Sequence, residues 1–545
     1  MSIIRIEHLK YRYPNTTNLV LDDISLTIEK GEFIGIVGEN GAGKSTLSQA
    51  IIGLVPLFYK GAIGGKVYVN DVWVEENPVQ ENCKQVGLVF QNPFNQLSGA
   101  KDTVFGEVAY GLQNLGIERD EINKRVESTL KQLDIWEYRD RNPFDLSGGQ
   151  MQRVAIASIL VMQPDVIILD EPTSQLDPQG SEEVFKVVDK LSKSGKTIIM
   201  IEQKLEKMAQ YCDRIILMHK GKVVDFNSPD VIFSRDDLNE LGIQAPAFTR
   251  ISKEYNVKNE KGYYPATLQE TKRLFKEKNI VLKADELEKL IEKKETVLDV
   301  KNLYFSYIQD VPVLENLNLS IDSRITAIIG QNGAGKTTLV RLLKGLLKPI
   351  SGSIYYGKED ISKKTVAMLA NKVGYVFQNP DDQIFKYTVL DEVMFGPMNI
   401  GMSKQTAKEE ALKALELMGL SGKEEMNPYD LELNERKMVA IASVLAMDTN
   451  VIILDEPTIA QDYLGRHKIG NMIQECAKKG KVVIAILHDM DFVEENFERV
   501  IVMAKGKILA DGTCKEVFVQ NEVLEKARLQ KPYMMQLKEE LEVNS

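Results

Sequence analysis

The sequence is short of the residues that announce thiol, membrane or nucleic-acid chemistry. It has four cysteines, Cys83, Cys212, Cys476 and Cys514, far apart and without a CxxC pair. That spacing argues against a metal cluster or a disulfide framework and predicts reduced thiols. Long apolar runs are missing. The longest, Val154–Met162 and Met438–Met447, fall well below the roughly 18 residues needed to cross a bilayer. Met1 to Pro14 carries Arg5, Glu7, His8 and Lys10 among its apolar positions, which does not read as a secretory leader. An excess of positive charge is also absent. With 68 Lys and Arg against 79 Asp and Glu, the net charge is −11, and no global basic field exists to hold nucleic acid. What remains is globular: 43% apolar, 27% charged, and 545 residues, enough for two to four domains of about 150 residues each.

The chain repeats itself. Val166-Ile167-Ile168-Leu169-Asp170-Glu171-Pro172-Thr173 returns as Val451-Ile452-Ile453-Leu454-Asp455-Glu456-Pro457-Thr458, and Val89-Phe90-Gln91-Asn92-Pro93 returns as Val376-Phe377-Gln378-Asn379-Pro380. A period this long indicates duplicated domains. Each copy opens with strand-like stretches (Ile4–Leu9; Val297–Leu303). An apolar strand follows (Phe33–Val37; Ile325–Ile329), then a loop and a helix running from Lys44 toward Gly53 or from Lys336 toward Gly345. Buried strands leading into helices predict an α/β core with a mostly parallel sheet. Asp102–Asp140 and Leu390–Met418 carry apolar residues at helical spacing. Between the copies, Asp236–Glu295 is charged and helix-forming, and it contains Leu238–Pro246, weakly repeated as Leu524–Pro532. The expected organisation is a first domain over 1–235, a helical appendix and linker over 236–295 with the boundary near Lys294, a second domain over 296–520, and an appendix over 521–545.

Three kinds of motif carry the chemistry. Gly38-Glu39-Asn40-Gly41-Ala42-Gly43-Lys44-Ser45 and Gly330–Thr337 are P-loops after apolar strands. Their backbone N–H groups surround phosphates, Lys44 or Lys336 reaches the β/γ oxygens, and Ser45 or Thr337 binds Mg²⁺. Asp170 and Asp455, each ending an apolar strand, are placed to hold Mg²⁺. Glu171 and Glu456, one residue on, are placed to polarise the attacking water. The third motif is Leu146-Ser147-Gly148-Gly149-Gln150, just before a helix. Ser147 is an N-cap candidate, and the glycines expose backbone N–H groups at the positive end of that helix, a second anion site.

The ordered set of P-loop, Gln91, LSGGQ, Asp170-Glu171 and Asp177 resembles the ATP-binding cassette (ABC) ATPases over nearly the whole chain. The resemblance implies two P-loop ABC ATPase domains in tandem, each α/β with a mostly parallel core sheet, an antiparallel β subdomain, a helical insert and a small C-terminal helical appendix. It implies ATP and Mg²⁺ as cofactors and an internal head-to-tail pseudo-dimer, each nucleotide lying between one half's P-loop and the other half's LSGGQ. The nucleotide-binding residues carried over are Gly38, Asn40, Gly41, Gly43, Lys44, Ser45 and Thr46, with Gly330, Asn332, Gly333, Gly335, Lys336, Thr337 and Thr338 in the second copy. Ser147, Gly148, Gly149 and Gln150 complete the opposite site. Gln91 and Gln378 match the Q-loop residue that touches Mg²⁺ and the membrane partner, and Tyr13 and Tyr307 the aromatic that stacks on adenine. Metal positions are then Ser45, Gln91 and Asp170, and Thr337, Gln378 and Asp455.

The copies differ where it matters. The second signature reads Leu431-Glu432-Leu433-Asn434-Glu435, which crowds the helix end and brings up to two carboxylates toward the place of a γ-phosphate. Losing a charge-assisted hydrogen bond there costs about 1.5–3 kcal/mol. The switch position is histidine in Ile486-Leu487-His488 but glutamine in Ile201-Glu202-Gln203, and Gln203 cannot carry a proton's charge. Under head-to-tail pairing both defects fall in the site built on Lys44. The expected hydrolytic site therefore comprises Lys336, Thr337, Gln378, Asp455, Glu456 and His488 with Ser147, Gly149 and Gln150. The other site, with Glu171, binds ATP and turns over slowly.

Phe377–Phe385, followed by Asp391-Glu392-Val393-Met394-Phe395-Gly396-Pro397, is similar to the ATPases of energy-coupling factor (ECF) importers of vitamins and transition metals. The first copy replaces the acidic pair with Phe94-Asn95. This resemblance implies an integral membrane coupling subunit and a separate membrane substrate-binding subunit as partners, a peripheral location on the cytoplasmic face of the membrane, and no nucleic acid. Two other readings stand beside it: the tandem ATPase of a monosaccharide importer, and a soluble ABC-F type translation factor.

Overall fold

A computed structural model of the chain describes residues 1–174, 176–282 and 295–542. It divides into two compact units, Met1–Val281 together with the C-terminal residues from Glu540, and Leu282–Glu539. The boundary expected near Lys294 lies outside the described residues. Each unit holds a four-stranded antiparallel sheet and a six-stranded sheet.

In the first unit the antiparallel sheet runs Leu21–Glu29, Ser2–Arg12, Ala62–Val69, Val72–Trp73. Leu21–Glu29 alternates inward Ile24, Leu26 and Ile28 with outward Ser25 and Thr27, as a sheet with one buried face requires. The larger sheet runs Lys222–Asn227, Arg214–His219, Phe33–Gly38, Thr197–Ile201, Val166–Asp170, Val86–Val89. It is parallel except for the hairpin Arg214–Asn227. Its central strands are continuous apolar runs because both faces are covered, one by helices and the other by the helix Lys44–Ile52 and the antiparallel sheet. The second unit repeats the order: Val373–Val376, Val451–Asp455, Val482–Ile486, Thr326–Ile329, Arg499–Ala504, Lys507–Gly512.

The helical inserts are Val104–Asn114 with Arg119–Gln132, and Val389–Asn399 with Lys404–Leu417. Thr103, Thr388 and Ser403 cap three of these helices by accepting backbone N–H bonds. Each insert packs on the helix that follows the signature stretch, Gly148–Leu160 or Leu433–Leu445. The weak repeat around Pro246 and Pro532 marks helices that begin after the proline, Ala247–Glu254 and Tyr533–Glu542. Ahead of it the copies diverge: Asn521–Ala527 is helical, whereas Leu238 reaches the core from a turn and Ile243 from the irregular stretch after it. Among the described residues no helix is long and apolar enough to cross a membrane.

Candidate functional site

Strand order builds each site. Four neighbouring parallel strands end on the same edge. Phe33–Gly38 ends in the P-loop, Val166–Asp170 in Asp170-Glu171, Thr197–Ile201 just before Gln203, and Val86–Val89 just before Gln91. The crevice beyond the carboxyl ends of an open α/β sheet is where such folds bind ligands. The second unit brings Lys336, Asp455-Glu456, His488 and Gln378 together in the same way.

Both P-loops wrap the head of their lysine. Lys44 Nζ donates to the carbonyls of Gly38 (2.9 Å) and Glu39 (2.7 Å), and Lys336 Nζ to those of Gly330 (2.7 Å) and Gln331 (2.9 Å). Side chains are excluded from the turn. A Cβ on Gly38 would lie 2.4 Å from the Met218 carbonyl oxygen, and one on Gly330 2.1 Å from that of Met503. Gly43 and Gly335 cap the following helices at φ 95°, a left-handed conformation that only glycine takes without strain. This backbone cradle at a helix N-terminus fits a polyphosphate. Beside it, Thr337 Oγ1 lies 3.4 Å from Asp455 Oδ1, and Ser45 hydrogen-bonds Asp170. These oxygen donors suit Mg²⁺, which takes few protein ligands and completes its shell with phosphate and water.

The two glutamates sit in matching cages with different contents. Gln91 Nε2 donates to Glu171 (2.7 Å) and Gln203 Nε2 to its other oxygen (2.9 Å). Gln378 Nε2 donates to Glu456 (2.7 Å), and His488 Nε2 lies 2.9 Å from the other oxygen. Both glutamates hold positive φ, 44° and 49°. Burial pushes Glu171 up, the charge of Glu202 pushes further, and Lys44 and Gln203 oppose them only in part, leaving its carboxyl at about 7. Burial raises Glu456 too, but His488, Lys336 and Lys437 outweigh it and hold that carboxyl below its ordinary value. In nucleotide-free protein, an infrared titration assigned with Glu171→Gln and Glu456→Gln is expected to show Glu171 losing its proton near pH 7. Glu456 is expected to be ionised already in mildly acidic buffer. Coincident titrations would contradict the asymmetry.

Several of these neighbours are invisible to motif reading. Glu202, buried and hydrogen-bonded by Thr173 (2.6 Å), stands where the second copy has Leu487. Tyr375 donates to Asp455 Oδ2 at 2.7 Å, where the first copy has Leu88. Lys437 replaces Gln152 and is 2% exposed. Burial brings its ammonium down to about 8, against the pull of Asp455 and Glu456. Position-by-position comparison of the copies is the signal that finds all three.

The signature ends differ as their residues dictate. Ser147 caps Gly148–Leu160 in a reciprocal capping box: Gln150 N–H donates to Ser147 Oγ (3.4 Å), and Ser147 N–H to Gln150 Oε1 (3.1 Å). Glu432 occupies the equivalent cap without a side-chain cap bond. Glu435 pairs with Lys423, so of the two carboxylates expected at this end, Glu432 is the one at the cap itself. Asp177 caps Pro178–Lys193 through Gly180 N–H. The two adenine candidates are edge-packed aromatics beside the P-loop helix. Tyr13 Oη lies 3.2 Å from Thr46 Oγ1, and Tyr307 Oη 3.2 Å from Thr338 Oγ1.

Comparison with known proteins places these features in a family. The ABC transporter family pattern matches residues 21–174 and 314–459. A protein of Methanosarcina mazei, provisionally named an ABC transporter ATP-binding protein, is 38% identical over 97% of this chain and 92% of its own length. One from Caldanaerobacter subterraneus subsp. tengcongensis, named in the same way, is 37% identical over 99% and 96%. A solved structure described as cbiO1 from Clostridium perfringens, part of the ABC transporter complex cbiONQ, shares 34% identity. It covers 47% of this chain and 99% of that one, with a TM-score of 0.40. Two family regions, each with its own cradle and acidic strand end, lie in one polypeptide: the chain belongs to the ABC transporter family as a tandem ATP-binding ATPase subunit.

Proposed function

We propose that this ATPase drives an importer of the ECF type, and that one of its two sites does most of the hydrolysis. The observation that carries the asymmetry is the pair of glutamate cages, one with a histidine and a lysine nearby, the other with glutamine and a second glutamate. The hydrolytic site is built on Lys336, Thr337, Gln378, Asp455, Glu456 and His488, and in the family's head-to-tail arrangement Ser147, Gly149 and Gln150 of the other half complete it. Lys336 and the cradle N–H groups bind the β- and γ-phosphate oxygens. Glu456, ionised, accepts a proton from water as the water oxygen attacks the γ-phosphorus. The bond to the bridging oxygen breaks, and ADP and phosphate leave. His488 orients Glu456 and responds to the γ-phosphate. Thr337, Asp455 and Gln378 would hold Mg²⁺, which neutralises phosphate charge. Ser45, Asp170 and Gln91 are the counterparts in the site that retains ATP. Tyr13 and Tyr307 stack on adenine. The domain limits that go with this reading are 1–235, 236–295, 296–520 and 521–545.

The ECF assignment rests on Phe377–Phe385 and on the helix Val389–Asn399 that follows it. The partners are an integral membrane coupling subunit docking beside the Q-loops and a separate membrane substrate-binding subunit, with this chain peripheral on the cytoplasmic face. ATP binding closes the two halves and hydrolysis releases them, and the docked helices follow. Affinity purification of the tagged chain from detergent-solubilised membranes tests this. Two hydrophobic integral proteins, one of them small and cargo-bound, are expected. Co-purifying ribosomal RNA would overturn the reading in favour of a translation factor, and a single large sugar permease in favour of a monosaccharide importer.

A further inference from the structure

The Q-loops are anchored alike at one point and differently at another. In both copies a glutamine six residues past the phenylalanine at the loop's start pins the base. Gln96 Nε2 donates to Ala155 O (2.8 Å), and Gln383 Nε2 to Ala440 O (2.8 Å). Phe90 N–H and Phe377 N–H close on those glutamines at 3.1 Å each. The second copy adds a basic clamp that has no counterpart among the described residues of the first. Lys437 Nζ donates to Phe377 O (2.8 Å), Gln378 O (2.8 Å) and Asp455 O (3.2 Å), joining the Q-loop to the end of the strand that carries the acidic pair. Its neighbour Arg436 reaches Asp381 of the same loop at 3.1 Å. The first copy has Met151 and Gln152 at these positions and Phe94 in place of Asp381. Gln152 is 1% exposed, and its Nε2 has no hydrogen-bond partner among the described residues.

An ammonium donating to three carbonyls from two segments fixes those segments to one another, and charged donors make the stronger bonds. One of the segments carries Gln378 and the other Glu456, whose side chains already meet at 2.7 Å. We propose that Lys437, assisted by Arg436, is a positioning residue that makes the second Q-loop and the Asp455-Glu456 strand end move as one piece, a linkage the first copy lacks. The inference deepens the assignment of the second copy as the hydrolytic site and rests on it for its effect on turnover.

The test installs the first copy's residues in the full chain, Arg436→Met with Lys437→Gln. The first copy folds around this pair, and Lys437→Gln alone serves if the double variant melts early. The expected result is a kcat about tenfold lower with KM for ATP changed less than about twofold, the split that marks lost positioning rather than lost binding. Amide exchange over residues 377–383 of nucleotide-free protein is expected to quicken by about tenfold or more toward that of residues 90–96. Unchanged kcat and exchange in a folded variant would overturn the proposal, as would parallel losses in kcat, ATP affinity and melting temperature. Glu456→Gln runs alongside. If that variant keeps full ATPase activity, the hydrolytic-site assignment has failed, while the exchange result still decides whether the clamp exists.

Discussion

Glu456→Gln is expected to lower the ATPase rate of the full chain by about a hundredfold or more, the usual scale of a lost general base. Glu171→Gln is expected to leave more than about half of it. Both substitutions keep the shape of the side chain and its capacity to meet Gln378 or Gln91, so the comparison isolates the carboxylate. Glu456 is the stronger candidate because its surroundings keep it ionised at neutral pH, whereas burial and Glu202 leave Glu171 near half-protonated. Steady-state phosphate release at saturating ATP provides the measurement. Equal losses from the two substitutions would refute the division of labour.

The second large effect concerns the signature end. Rewriting Ser147-Gly148-Gly149-Gln150 as the second copy's Glu-Leu-Asn-Glu should remove hydrolysis while sparing the fold. The helix Leu433–Leu445 forms with that very sequence and without a side-chain cap bond. Two charge-assisted bonds to phosphate, at about 1.5–3 kcal/mol each, correspond to a loss of about a hundredfold or more. The reverse exchange, rewriting Glu432-Leu433-Asn434-Glu435 as Ser-Gly-Gly-Gln, is expected to change the total rate by less than about twofold, because Gln203 and the half-protonated Glu171 stay in that site. Comparable rate changes from the two exchanges would count against head-to-tail completion of the strong site by Ser147.

The motifs were legible because each is local. A P-loop needs its glycines in consecutive order, the acidic pair needs an apolar strand before it, and Ser147 needs only Gln150 three residues on to form its capping box. The duplicated fold follows from finding them twice. What local reading misses is whatever strand order brings together. Glu202 acts on Glu171 because their strands are neighbours, paired Asp170 to Ile201. Tyr375 meets Asp455 because Val373–Val376 lies beside Val451–Asp455. Glu435 reads as one more carboxylate at the anion site until its pairing with Lys423 is seen.

The positive φ of the two glutamates has a consequence of its own. A side chain in that backbone shape gives up about 1 kcal/mol that glycine would keep. The front half accepts this handicap at Glu171 although its surroundings leave the acid poorly ionised. Under the proposed division of labour, a glutamate held in that bend would leave the slower site a carboxyl turned toward the end of the strand where a terminal phosphate would lie.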